Sequence, residues 1–213
     1  MSDDLDDLIR RTDPDRWLSS RFIGDTAARA DVIAIYAYDY ELARAPKVAS
    51  NPLLGEIRLT WWREVLDEVF EGREVRRHPT AQALADVVRR RGLSREPLEA
   101  MIDARYRELD AAPMSDAEAL DWAGGTAGMA AATAAQILDA EGDPEAARAP
   151  GTVWALVRKG LTPSSAAQAR ADARRLSPAA FPAVAHAALA LRPARTDLGK
   201  RLRLIWAVAL GQI

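Results

Sequence analysis

The sequence contains no cysteine, which excludes disulfide staples and thiolate chemistry. It has two histidines. His78 stands before a proline in a polar loop and His186 lies in an Ala-rich stretch, neither with matched carboxylates, so no metal site is expected. No apolar run reaches the roughly 18–20 residues of a membrane span. The acidic N-terminus, MSDDLDDLIRR, lacks the apolar segment of a signal peptide. The net charge of −2 gives no global attraction to nucleic acid. No segment alternates cleanly as a strand, no repeat is present, and Ser19-Ser20 has no nearby histidine that would suggest a nucleophilic triad. These absences leave a cytoplasmic, all-helical protein as the expectation.

What is present fits that class. The chain has 213 residues, 49% of them apolar, enough for one sizeable core. Aromatics are only 6%, yet six of them are Trp. Thr12-Asp13-Pro14 predicts a helix start, with Trp17, Leu18 and Phe22 turned inward. Val32, Ile33, Ile35, Tyr36, Tyr40 and Ala43 fall at helical spacing from Thr26 to about Arg44, ahead of Pro46. The turn signal Ser50-Asn51-Pro52 opens the next helix, which reaches Gly72. Further helices are predicted after Pro79, after Ser94, and from the capping-box spacing Ser115–Glu118 to Leu138. Another begins at Asp143-Pro144 and breaks near Ala149-Pro150-Gly151; the rest follow Thr162-Pro163, Ser177-Pro178 and Thr196. The total is about nine or ten, in one domain.

The predicted helix through Gly124, Gly125 and Gly128 carries three residues that each cost about 1 kcal/mol against Ala. Close approach of another backbone or of a ligand would account for them. No strand precedes them, so they do not form a phosphate loop. The last segment sets Leu202, Leu204, Ile205, Trp206 and Val208 against Lys200, Arg201 and Arg203. That pattern suits a core helix, a membrane-surface contact or a partner helix alike.

Four stretches together resemble the squalene/phytoene synthase family of head-to-head prenyl transferases. They are Asp15-Arg16-Trp17-Leu18-Ser19-Ser20-Arg21-Phe22, Ile35-Tyr36-Ala37-Tyr38, the run from Pro52-Leu53-Leu54-Gly55-Glu56-Ile57-Arg58 to Leu59-Thr60-Trp61-Trp62-Arg63, and Gly125-Thr126-Ala127-Gly128. The resemblance implies the all-α isoprenoid synthase fold over residues 1–213, shortened after about residue 160, with the Gly helix lining a prenyl tunnel. Family enzymes hold diphosphates through Mg²⁺ on two Asp-rich motifs. By that alignment the leading carboxylates of the first motif fall at Ala43 and Arg44, and the second region retains only Asp172. Two-metal catalysis is therefore not expected, and no catalytic residue, metal site or cofactor is assigned.

What remains is basic and aromatic. Arg21, Arg44, Arg58 and Arg63 are expected to cluster with Tyr36, Tyr40, Trp61 and Trp62, with Glu41 pairing with Arg44. One of the two tryptophans should pack inside and the other lie at an edge. Together with Glu56, Gly125, Thr126 and Gly128, these residues other than Arg63 form the expected ligand- or partner-binding set. The missing carboxylates make the chain similar to the non-catalytic branch of the family, which includes a mitochondrial complex I assembly factor. That similarity implies a binding or assembly role with a protein partner, a respiratory complex subunit, at the inner membrane face. The alternatives are a prenyl transferase using Mg²⁺ on Asp39, Glu41, Glu56, Glu64 or Asp67, and a metal-free binder of isoprenoid diphosphate or lipid.

Overall fold

A computed structural model describes residues 2–47, 51–163 and 165–213. Among them there is no strand, and twelve α-helical segments are joined by short 3₁₀ and π turns. The helix α1 spans Ser2–Thr12, a segment for which no helix was predicted. Its many charges conceal the i, i+4 pair Leu5 and Ile9, both buried against the rest of the fold. In α2 (Pro14–Ser20), Asp13 is the N-cap and accepts the Arg16 amide, as the Thr-Asp-Pro signal suggests. The buried face of α2 differs from expectation. It carries Arg16, Ser19 and Ser20, while Trp17, Leu18 and Phe22 are only partly covered.

The centre of the molecule is α3 (Thr26–Lys47), which packs against α1, α2, α4, α5, α6 and α8. Val32, Ile35, Tyr36, Tyr38 and Leu42 are all at or below 1% exposed, so this helix is covered on almost every side. It includes Pro46 and Lys47. Then α4 (Pro52–Phe70) begins at Asn51, whose side chain accepts the Leu54 amide; Ser50, also part of that turn signal, lies outside the described residues. The helices α5 (Pro79–Arg91) and α6 (Arg95–Tyr106) follow as their breakers predict.

The glycine region is where packing is tightest. Between α7 (Asp116–Ala123) and α8 (Met129–Leu138) the chain widens into a π turn, Gly124–Gly128. It lies against α9 (Arg148–Arg158), which is continuous through Pro150-Gly151 and not broken there. Pro150 sits in the first turn, where its missing N–H has no partner to lose. A Cβ on Gly151 would stand 2.5 Å from the Ala127 carbonyl oxygen, and one on Gly128 2.6 Å from the Thr152 hydroxyl. The helices touch backbone to backbone, so close packing accounts for Gly128 and, against Ala104 at 2.8 Å, for Gly125, whereas a Cβ on Gly124 would make only ordinary contact. The remaining helices are α10 (Ala166–Ala173), α11 (Ala187–Leu191) and α12 (Asp197–Leu210). Only Leu204 and Ala207 of α12 are buried, and Leu198, Leu202, Ile205, Trp206 and Leu210 face outward. No helix among the described residues is long and apolar enough to cross a membrane.

Candidate functional site

Two places in the fold concentrate polar and aromatic groups. The first is a central cavity of about 300 Å³ bordered by α2, α3, α6, the π turn and α9. Its floor is Asp39, a charge within the buried stripe of α3 and only 5% exposed. Arg16 Nη1 donates to one Asp39 oxygen at 2.6 Å and Arg105 Nη2 to the other at 2.6 Å. Burial alone would raise this carboxyl, but the Arg105 and Arg16 guanidiniums outweigh it and hold its pKa below the ordinary value. Arg105 also donates to Glu108 at 2.6 Å, and Glu108 accepts the Trp122 indole N–H at 2.7 Å. On the other side Asp13 lies 3.7 Å from Arg16 and 3.4 Å from Arg158. Burial raises the Asp13 carboxyl, opposed by Arg16 and Arg158. The result is one chain of alternating charge, Arg158–Asp13–Arg16–Asp39–Arg105–Glu108.

Aromatic faces hold this chain in place. The Arg16 guanidinium lies 4.2 Å from the Trp154 ring centre and 4.9 Å from that of Tyr36. Tyr36 itself is buried, donates to the Ala183 carbonyl at 3.4 Å, and meets His186 edge-on. His186 is fully buried between Tyr36 and Trp154. Desolvation, with Arg16 and Arg158 adding to it, holds its imidazole well below the usual value. The Thr126 hydroxyl turns back to the Trp122 carbonyl at 2.7 Å. Gly125 is half-buried against α6, and Gly128 is buried against α9.

The second place is a groove of about 220 Å³ between α3, α4 and the start of α5, lined by Glu41, Arg44, Arg58, Trp61, Trp62 and His78. Trp62 is buried and Trp61 half-exposed, as expected of that pair. The two rings meet at 5.0 Å, and His78 packs edge-on against both. Arg44 reaches both Glu41 oxygens at 3.1 Å, the expected i, i+3 pair. Beside the groove α4 exposes Leu53, Leu54 and Ile57, with Glu56 and Arg58 also exposed.

The expected Arg/aromatic cluster is therefore only partly assembled. Arg44, Arg58, Trp61 and Trp62 share the groove, and Tyr40 lies 5.7 Å from the Arg44 guanidinium on the way to the cavity. Arg21 is elsewhere, stacked on Trp17 and bonded to Asp6 of α1. Arg63 turns to α6, donating to Glu99 at 2.7 Å and to Asp103. Tyr36 faces the core. Arg21 and Arg63 are drawn off because each meets carboxylates on a neighbouring helix that sequence distance hides. Arg16, Arg105, Glu108, Trp122, Trp154 and Arg158 were missed. The available signal was Asp39: a carboxylate one turn after Tyr36, inside an apolar stripe, must be buried and so requires cations.

The residues present do not fit the magnesium ions of the family's enzymes. Among the described residues no group of three His, Asp or Glu side chains could hold a metal ion. Asp39 is saturated by two guanidiniums, Glu41 is paired with Arg44, Glu64 with Arg76 and Asp67 with Arg95, while Glu56 stands exposed. Ala43 and Lys47 border the cavity where α3 passes it.

The sequence pattern of the squalene/phytoene synthase family matches residues 9–159. The chain is 28% identical over 104 residues to the bovine protein named "NADH dehydrogenase (ubiquinone) complex I, assembly factor 6" from Bos taurus. It is 26% identical over 104 residues to the protein of that name from Homo sapiens. Each match covers 49% of this chain and 31% of the relative, so the similarity spans less than a third of those proteins. With the family pattern covering most of its length, and an all-helical fold around the glycine π turn, the chain belongs to the squalene/phytoene synthase family.

Proposed function

We propose that this protein is a non-catalytic member of its family that works as an assembly factor, with a subunit of respiratory complex I as its partner. The observation that carries the reading is the buried clamp of Arg16 and Arg105 on Asp39, which occupies the one carboxylate at the floor of the cavity. A carboxylate so held is a poor metal ligand, because freeing it would strand two buried guanidiniums. The similarity to proteins named as complex I assembly factors supports the same reading. The partner docks on the α3–α4 groove, where Trp61 and Arg58 offer the residue types that dominate protein interfaces.

The single domain over residues 1–213 works at the inner membrane face. The exposed apolar row of α12 supports a peripheral contact there, since Arg201 and Arg203 flank it on either side at helical spacing. The test is deletion of the gene followed by native-gel analysis of complex I. Accumulation of incomplete complex, restored by the wild type and not by Arg58→Glu/Trp61→Ala, is the expected result. Normal complex I would end the proposal. Farnesyl diphosphate with Mg²⁺ should give no product; a squalene-like product would establish the transferase instead.

A further inference from the structure

We infer that the outer face of α12 is a docking site for an anionic lipid surface, on which the helix lies in the plane of the headgroups. The inference rests on the peripheral contact proposed above and names what that contact grips. It draws on neither the central cavity nor the α3–α4 groove. The helix α12 also lies beyond residues 9–159, so this face is not part of the matched family pattern.

The first argument is a second apolar face on a short helix. Leu204 and Ala207 are buried and hold α12 to the body of the protein. Leu198, Leu202, Ile205, Trp206 and Leu210 stand at i, i+4, i+7, i+8 and i+12, one stripe turned away from that buried side. They are five of the nine exposed large apolar side chains among the described residues, so the open apolar surface is concentrated here. The indole N–H of Trp206 is the one hydrogen-bonding group in the stripe, and an indole suits the boundary between headgroups and acyl chains. At 14 residues the helix is too short to cross a bilayer, so it must lie along one.

The second argument is charge. Helical spacing places Arg201 and Arg203 on the two borders of the stripe. Arg203 and Arg192 line a groove of about 450 Å³ between α11 and α12, which Leu202, Trp206 and Leu210 also line. Elsewhere half-buried arginines such as Arg63, Arg76 and Arg95 meet carboxylates. Arg203 is half-buried too, yet neither it nor Arg192, Arg195 or Arg201 has a carboxylate partner among the described residues. Asp15 takes Lys200 at 2.8 Å, and Asp197 is the one acid on the helix. Four free guanidiniums against one carboxylate leave the stripe bordered by positive charge.

The third argument decides between occupants. Two-fold packing of α12 on a second copy would cover the stripe but set Arg201 and Arg203 of both copies along one seam, with only the Asp197 carboxylates to offset them. An anionic bilayer gives acyl chains to the stripe and headgroup oxygens to both borders at once.

The purified full chain is sedimented with vesicles of phosphatidylcholine alone and of phosphatidylcholine mixed with an equal part of phosphatidylglycerol. Binding to the mixed vesicles is expected, weakening with salt, and binding to phosphatidylcholine alone should be about tenfold weaker or less. Arg201→Gln/Arg203→Gln should weaken binding to the mixed vesicles about tenfold. Leu198→Ser/Leu202→Ser should also weaken it, and Arg89→Gln on α5 should change nothing. Trp206→Phe should keep the binding and lose the fluorescence shift that vesicles induce. Unchanged thermal melting shows that each variant is folded. No binding to the mixed vesicles, equal binding to both kinds, or full affinity in the double arginine variant would each overturn the inference. So would a concentration-dependent dimer, seen by analytical ultracentrifugation and abolished by Trp206→Glu, which would give the face to a second copy. Equal binding to both kinds of vesicle would leave the peripheral contact standing, whereas no binding to either would remove both. Complex I assembly in the deletion strain is read independently of all of these.

Discussion

The cavity and the groove lie on opposite sides of the same two turns of α3, and they are built on opposite principles. At the cavity every carboxylate is matched to a cation and Arg16 is sandwiched between two rings. At the groove Trp61 is half-open over a buried Trp62, the arginines reach solvent, and apolar residues of α4 have no cover. Groups in the first region hold one another, so removing one leaves a buried charge behind. Groups in the second are held mainly by their own helices, so changing one alters a surface and little else. The first region therefore couples to stability, the second to recognition.

The largest effect expected from this contrast is at Asp39. Asp39→Ala leaves Arg16 and Arg105 buried without their shared partner, and should cost about 3–5 kcal/mol. Denaturant unfolding measures it, and a cost under about 1 kcal/mol would mean the clamp relaxes into solvent. Next is Gly151→Val at the α9–π turn contact, where a side chain would run into the Ala127 carbonyl. Overpacking there should cost about 1–3 kcal/mol or more, read as a lower midpoint in the same assay.

The pH dependence follows from His186. Its folded pKa is depressed from 6.5, so the folded state keeps it neutral while the unfolded chain takes up a proton below that value. Its contribution is complete above pH 6.5 and is lost as pH falls below it, with a limiting slope of about 1.4 kcal/mol per pH unit. His186→Phe should flatten the stability profile between pH 6.5 and 5. An unchanged slope would show that another group sets it.

The smallest effects on stability belong to the open surfaces. Arg58→Glu in the groove should shift stability by no more than about 0.5 kcal/mol. If the groove is the docking face, it should weaken partner capture by about tenfold or more. Trp206→Glu on α12 should be equally mild to the fold while lowering co-sedimentation with anionic vesicles. A large loss of stability in either variant would erase the distinction between the two kinds of region.

The helices were legible because capping and breaking residues act locally. Asn51-Pro52, Ser115–Glu118 and Thr196 begin helices where they stand, and the Trp61/Trp62 pair divides inside from edge as adjacent helical positions must. The first helix was hidden by its own charges. The cluster expected around Arg44 was half right because Arg44 and Arg58 lie on neighbouring helices across one turn. Arg21 and Arg63 found carboxylates 15 and 36 residues away, partners that no local rule selects.

The sequence alone determined the helical class, the family and the loss of a paired-carboxylate metal motif, because each is written in spacing along a single helix. Tertiary structure decided what took that motif's place. Arg16, Asp39 and Arg105 come from three helices, 23 and 66 residues apart in pairs, and are joined only when those helices pack. A buried charge must find its counter-charge wherever the fold provides one, and that choice is made in space.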